Sequence, residues 1–237
     1  NVTTWSYAFS ETPASLHTID LSRLVSENVT DTSDMFHGCL AETIVLGPGF
    51  TCSNVTDMEY MFCSATNLTS LDLQYFDPSS AKKINTLFRD CSALECLDLS
   101  GKNFSSATSW YSFYTNGPKT VNLTGTVFPE GFYQADEGPE RIITGQNTSF
   151  SRAFFEYLPG GTWMLMDNQT LYTPGGYNAV NYPDRYSSGL YEAVQDVENG
   201  VLIRCSWNAE GTESVFDGEE HSLSCSLTAP AGCEMQF

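Results

Sequence analysis

Side chains suited to acid–base, nucleophilic or metal chemistry are scattered along this 237-residue chain rather than gathered by spacing. His17, His37 and His221 stand at no metal-ligand spacing from one another or from a cysteine, so no zinc site is expected. The eight cysteines, at 39, 52, 63, 91, 96, 205, 225 and 233, contain no Cys-x-x-Cys pair. An even number without that motif points to some disulfides in a secreted protein rather than to a redox centre. Gly-x-Ser-x-Gly, His-Glu-x-x-His, phosphate-binding and dinucleotide-binding phrases are all missing, so neither an enzyme nor a cofactor is expected. Carboxylate neighbours such as Glu219 and Glu220 are unavoidable among 29 acidic residues and assign nothing.

Charge narrows the partners. Ten basic residues against 29 acidic ones leave a net charge of -19. Such a surface repels phosphate backbones and anionic lipid, which argues against nucleic acid and membrane docking and favours basic partners. No apolar run reaches the roughly 18 residues of a membrane span, and Asn1-Val-Thr-Thr-Trp5 does not read as a secretion signal. Both absences fit an ectodomain piece of a larger extracellular protein and would equally fit a cytosolic one; the expectation is the ectodomain piece, monomeric as such.

The elements that must position any site come from a repeat. Met35-Phe36, Met61-Phe62, Leu87-Phe88 and Phe113-Tyr114 recur every 26 residues. The columns Val29, Val55, Ala81, Ala107 and Asn28, Asn54, Ser80, Ser106 keep the same step. A second phrase, Ile19-Asp-Leu21, Ile44-Val-Leu46, Leu71-Asp-Leu73, Leu97-Asp-Leu99 and Val121-Asn-Leu123, alternates apolar and polar positions as a half-buried strand does. No single coil buries its own apolar face. Stacking the coils aligns like on like, giving a solenoid with a parallel sheet along one side. The eight Asn-x-Ser/Thr sequons, at Asn1, Asn28, Asn54, Asn67, Asn103, Asn122, Asn147 and Asn168, arise in part from the repeat phrase itself.

The stretches Ser53-Asn-Val-Thr-Asp-Met-Glu-Tyr-Met-Phe62 and Leu68-Thr-Ser-Leu-Asp-Leu-Gln-Tyr-Phe-Asp77 resemble the 26-residue repeat of BspA-like bacterial surface proteins over about residues 16–128. The resemblance implies a right-handed leucine-rich-repeat solenoid, α/β or mostly β, on the bacterial cell surface. It also implies an adhesin-like contact with a host or extracellular-matrix protein. The expected division is an N-terminal capping strand in 1–15, with Trp5, Tyr7 and Phe9 alternating, the solenoid in 16–145, and a β-rich region in 146–237. Within the last, Trp163 to Thr173 is similar to a phrase that trails the repeats in that family. The text from about 200 resembles the opening strands of bacterial Ig-like stalk repeats. Tyr172, Tyr177, Tyr182, Tyr186 and Tyr191 offer either glycan-stacking faces or the packing of a small cap.

One constellation could bind. Asp20, Asp72, Asp98 and Asn122 take the outward strand position of four coils, with Gln74 and Thr124 beside them. Adjacent carboxylates there require a partner cation, a metal, or hydrogen bonds from nearby amides. Trp110 and Tyr111 break the repeat consensus in one coil and extend the candidate face. The alternative function is a structural spacer that displays other domains. For the cysteines, Cys39 and Cys91 share a column two coils apart, about 10 Å, beyond the roughly 7 Å a disulfide spans. They should stay unjoined. Cys63 with one neighbour, Cys91 with Cys96, and Cys225 with Cys205 or Cys233 remain open, with at least one repeat cysteine expected as a buried thiol.

Overall fold

The computed structural model describes residues 2–132 and 138–144, Leu158, and the strands Thr162–Leu165, Thr170–Tyr172 and Gly200–Cys205. Each apolar-polar-apolar phrase becomes a strand: β1 (Thr18–Leu21), β2 (Thr43–Leu46), β3 (Ser70–Asp72), β4 (Cys96–Asp98) and β5 (Thr120–Asn122). β6 (Arg141–Thr144) follows one coil later. β1, β2 and β3 pair in parallel with Ile19 beside Ile44 and Ile44 beside Leu71; β4, β5 and β6 do the same with Leu97, Val121 and Ile142 aligned. The molecule is therefore a mostly β solenoid of about five turns, and the described residues contain no helix.

The ladder is interrupted between β3 and β4, so the strand side carries two sheets. On the opposite limb of the coils a second column of parallel bridges runs on: Thr4 to Asp31, Asp57, Lys83 and Ser109. Leu73 and Leu99 share one continuous core with Ile19, Leu21, Ile44, Leu46, Leu97, Val121 and Leu123, while Leu71 is half-buried against it. At the far end the sheet turns antiparallel, with β9 (Gly200–Cys205) pairing β6 and β7 (Thr162–Leu165), and β7 pairing β8 (Thr170–Tyr172). The strand expected to open an Ig-like stalk thus completes the solenoid's own sheet. The rest of the Ig-like stretch after Cys205 and the tyrosines from Tyr177 on lie outside the described residues.

The repeat phrase has a physical reading at every position. Val29 and Val55 point into the core. Asn54 Nδ2 donates to the Glu27 carbonyl of the preceding coil at 2.7 Å, and Ser80 Oγ replaces it toward Ser53 at 2.6 Å. Thr56 Oγ1 reaches the Thr30 carbonyl at 3.2 Å. Asp57 Oδ1 accepts the N–H of Glu59 and so turns the chain into the next stretch. Three residues after Glu59 comes Phe62, and Phe36, Phe62 and Phe88 stack at 5.3 and 5.4 Å between ring centroids. Each buries enough apolar surface to contribute about 1.5–3 kcal/mol.

Residues 2–11 are not the expected capping strand. They repeat the return arc, with Phe9 stacked on Phe36 at 5.6 Å and Trp5 on Phe50 at 5.2 Å. They cover the first coil as half a coil would. The arcs also hold two columns of left-handed backbone: Tyr7, Asp34, Tyr60, Thr86, Ser112, and Glu11, Gly38, Ser64, Asp90, Asn116. A non-glycine residue there costs about 1–2 kcal/mol. The conformation persists because it aims alternate N–H groups at the next coil: Thr32 to Asp57 at 2.9 Å, Asp34 to Glu59 at 2.9 Å, Phe36 to Met61 at 2.8 Å, Gly38 to Cys63 at 2.9 Å. The pattern repeats from coil two to three and from three to four, always with the earlier coil donating.

Four repeat cysteines, Cys39, Cys52, Cys63 and Cys91, are buried thiols. Cys39 and Cys91 are unjoined, as the coil register requires, and the Cys91–Cys96 pairing does not form. Cys96 is disulfide-bonded.

Candidate binding face on the return arcs

The outward strand positions are satisfied from within. Asp20 Oδ1 accepts the Ser22 N–H, Asp72 that of Gln74 and Asp98 that of Ser100, each at 2.8 Å; Asn122 Oδ1 accepts from Thr124 at 3.1 Å. Hydrogen bonds from the Ser22 hydroxyl and then its N–H hold Asp20 below the usual carboxylate value. Asp72 and Asp98 belong to the two separate sheets and are not ladder partners. Lys102 sits between them. Its Nζ donates to the Gln74 carbonyl at 3.3 Å, and burial lowers its pKa while Asp98, Asp77 and Asp72 oppose that shift. The repulsion that could have called for an outside ligand is thus met by backbone amides and one lysine. Among the described residues no group of three or more His, Cys, Asp or Glu is arranged to hold a metal ion.

Trp110 and Tyr111 part company. Trp110 continues the buried Thr32, Met58, Ile84 column and packs half-buried against the core, 6.2 Å from Phe132. Tyr111 is 54% exposed on the return arc, away from the strand face. Its hydroxyl lies 2.8 Å from that of Tyr60, and its pKa is pushed up to about 12, first by that hydrogen bond and then by burial. Below the pair a polar network locks the arc: Asn85 bridges Glu59, Ser109 Oγ and the Tyr111 N–H, while Lys83 Nζ holds Asp57 at 2.6 Å and Glu59 at 3.5 Å.

From Tyr60 the strip runs on toward the N-terminal end. The His37 ring tilts against Tyr60 at 6.2 Å, and His37 Nδ1 is 3.4 Å from Asp34 Oδ1. Tyr7, 61% exposed, stands beside the Asp34 carboxylate, which raises the tyrosine's pKa. Tyr7, Asp34, His37, Tyr60 and Tyr111 therefore form one connected aromatic and polar surface crossing four coils. Four of these five escaped the sequence reading. The signal that could have found them is the column Tyr7, Asp34, Tyr60, a polar-aromatic row lying between columns of core residues.

Stacked coils, a parallel sheet and aligned side-chain columns define the class as a parallel β-solenoid built from 26-residue repeats. Within that class the chain belongs to the family described as Mycoplasma protein of unknown function, DUF285, which matches residues 3–124. Neither a curated protein nor a solved structure matches the chain.

Proposed function

We propose that the chain is a non-enzymatic, adhesin-like binding module of an extracellular bacterial surface protein of the BspA-like kind, contacting a host or matrix protein through its return arcs. The observation that carries this reading is the connected strip from Tyr7 to Tyr111. Exposed tyrosines tied to charged neighbours are the texture of recognition surfaces, since each ring brings contact area at little entropic cost. The repeat columns support the same view: the arc departs from its consensus at Trp110 and Tyr111, while the core columns stay regular. The experiment is a surface-binding screen of the chain against matrix proteins, mucins and glycans, with a Tyr60→Ser/Tyr111→Ser variant beside it. Saturable binding of one partner, weakened in the variant, supports the reading; no binding across the panel refutes it.

A rigid spacer is the second reading, favoured by the strand face, whose acidic row is hydrogen-bonded internally and leaves little for a partner to satisfy. A spacer would fail the screen and still resist unfolding.

A further inference from the structure

Tyr60 and Tyr111 are held against each other by a residue of the coil between them. The Asn85 carbonyl accepts the Tyr60 N–H at 3.0 Å, and its side-chain Oδ1 accepts the Tyr111 N–H, also at 3.0 Å. Thr86 then donates its N–H to the Tyr111 carbonyl at 2.9 Å. Asn85 itself is buried. Both phenols therefore leave a fixed backbone, and their oxygens meet at 2.8 Å, the ordinary length of an O–H···O bond. One ring is open: Tyr111 is 54% exposed, whereas Tyr60 is half-buried. Tyr7 and Tyr75 are exposed too, but among the described residues neither hydroxyl meets that of another tyrosine.

We propose that Tyr60 and Tyr111 form an oxidative cross-linking site, at which a peroxide-driven haem peroxidase joins the two rings as dityrosine. This stands apart from the binding-module reading. The oxidant takes one electron and one proton from the exposed Tyr111 hydroxyl. A phenol both donates and accepts, so the hydrogen atom of Tyr60 can cross to the Tyr111 oxygen along the shared hydrogen bond. The same open ring is then oxidised a second time, and two phenoxyl radicals face each other. A carbon–carbon bond forms between the ring carbons beside the two oxygens, and the hydrogens those carbons carried return to the oxygens. One hydrogen peroxide becomes two waters, and the chain loses two hydrogen atoms. Because both rings are already placed, coupling within the chain outruns the meeting of two molecules. The product bonds coil two to coil four on the limb opposite the break between β3 and β4.

Treatment of the whole chain, in dilute solution, with a haem peroxidase and limiting hydrogen peroxide tests this. The readouts are dityrosine fluorescence of the monomer fraction and mass mapping of linked peptides. A peptide pair joining Tyr60 to Tyr111, lighter by two hydrogens, should be the main link. Tyr60→Phe and Tyr111→Phe keep both rings, and each should lose that link and most of the monomer fluorescence; Tyr75→Phe should retain both. The link should also vanish when the chain is oxidised in urea, where Asn85 no longer aligns the rings. Absence of a Tyr60–Tyr111 link once the peroxide is consumed overturns the site, and so does a link that forms equally in urea. Monomer fluorescence unchanged in Tyr60→Phe would put the coupling on other tyrosines and overturn it likewise.

Discussion

The hydroxyls of Tyr60 and Tyr111 meet at 2.8 Å although the residues belong to coils two and four. The contact spans coil three, whose Asn85 accepts the Tyr111 N–H at 3.0 Å. It ties together coils that share no strand ladder, on the limb opposite the sheet interruption. Because the Tyr111 pKa is raised from 10.0 to about 12, the protonated clasp contributes fully below pH 10.0 and is lost as pH rises through about 12. Ultraviolet titration of tyrosinate should show one late-ionising group that Tyr111→Phe removes. Tyr60→Phe should return it toward ordinary tyrosine. An unchanged titration in both variants would mean that the clasp does not form.

Gly47 ends β2 against the backbone of the first coil. A Cβ there would lie 2.5 Å from the Ser22 Cα and 2.7 Å from its carbonyl carbon. Backbone cannot yield as a side chain does, so Gly47→Ala should destabilise the solenoid by about 2–4 kcal/mol. Urea denaturation is the measurement, and a loss below experimental error would contradict the close approach.

Tyr114 continues the Phe36, Phe62, Phe88 column, but its hydroxyl is buried without a hydrogen-bond partner, and burial drives its pKa far above the ordinary value. Tyr114→Phe removes an unsatisfied group while keeping the ring, and should stabilise by about 1–2 kcal/mol. A destabilised variant in the same denaturation assay would show that the hydroxyl has a partner after all.

Cys39, Cys52, Cys63 and Cys91 should resist alkylation at neutral pH until the chain is denatured. Burial raises the thiol pKa of Cys52, Cys63 and Cys91, and the thiolate is the reacting form. Mass spectrometry after iodoacetamide treatment, with and without denaturant, counts them. Cys63, the least deeply enclosed of these three, should be modified first; rapid labelling of Cys39 or Cys91 in the native chain would argue against a closed core.

Much of the fold was legible because stacking imposes identity. Ile19, Ile44 and Leu71 must be apolar to lie on one another, so the 26-residue step shows the coil register directly. The arc conformation was hidden for the opposite reason. Left-handed positions are ordinarily flagged by glycine, yet Tyr60 and Thr86 hold them because hydrogen bonds from neighbouring coils over-determine the backbone. Tyr7 was read as part of an alternating strand for the same cause: a turn that alternates conformation residue by residue mimics the period of a strand. On the strand face, sequence placed Asp20, Asp72 and Asp98 outward, but it gave no sign that Lys102 would fold in among the carboxylates.

The one-way hydrogen bonding of the arcs carries a consequence for assembly. Within the stretch from Thr32 to Gly38 each coil gives protons only to its successor, and so the two ends of that limb are chemically unlike. Stacking along this stretch can therefore proceed only with every coil facing the same way, because a coil turned over would set carbonyl against carbonyl and N–H against N–H.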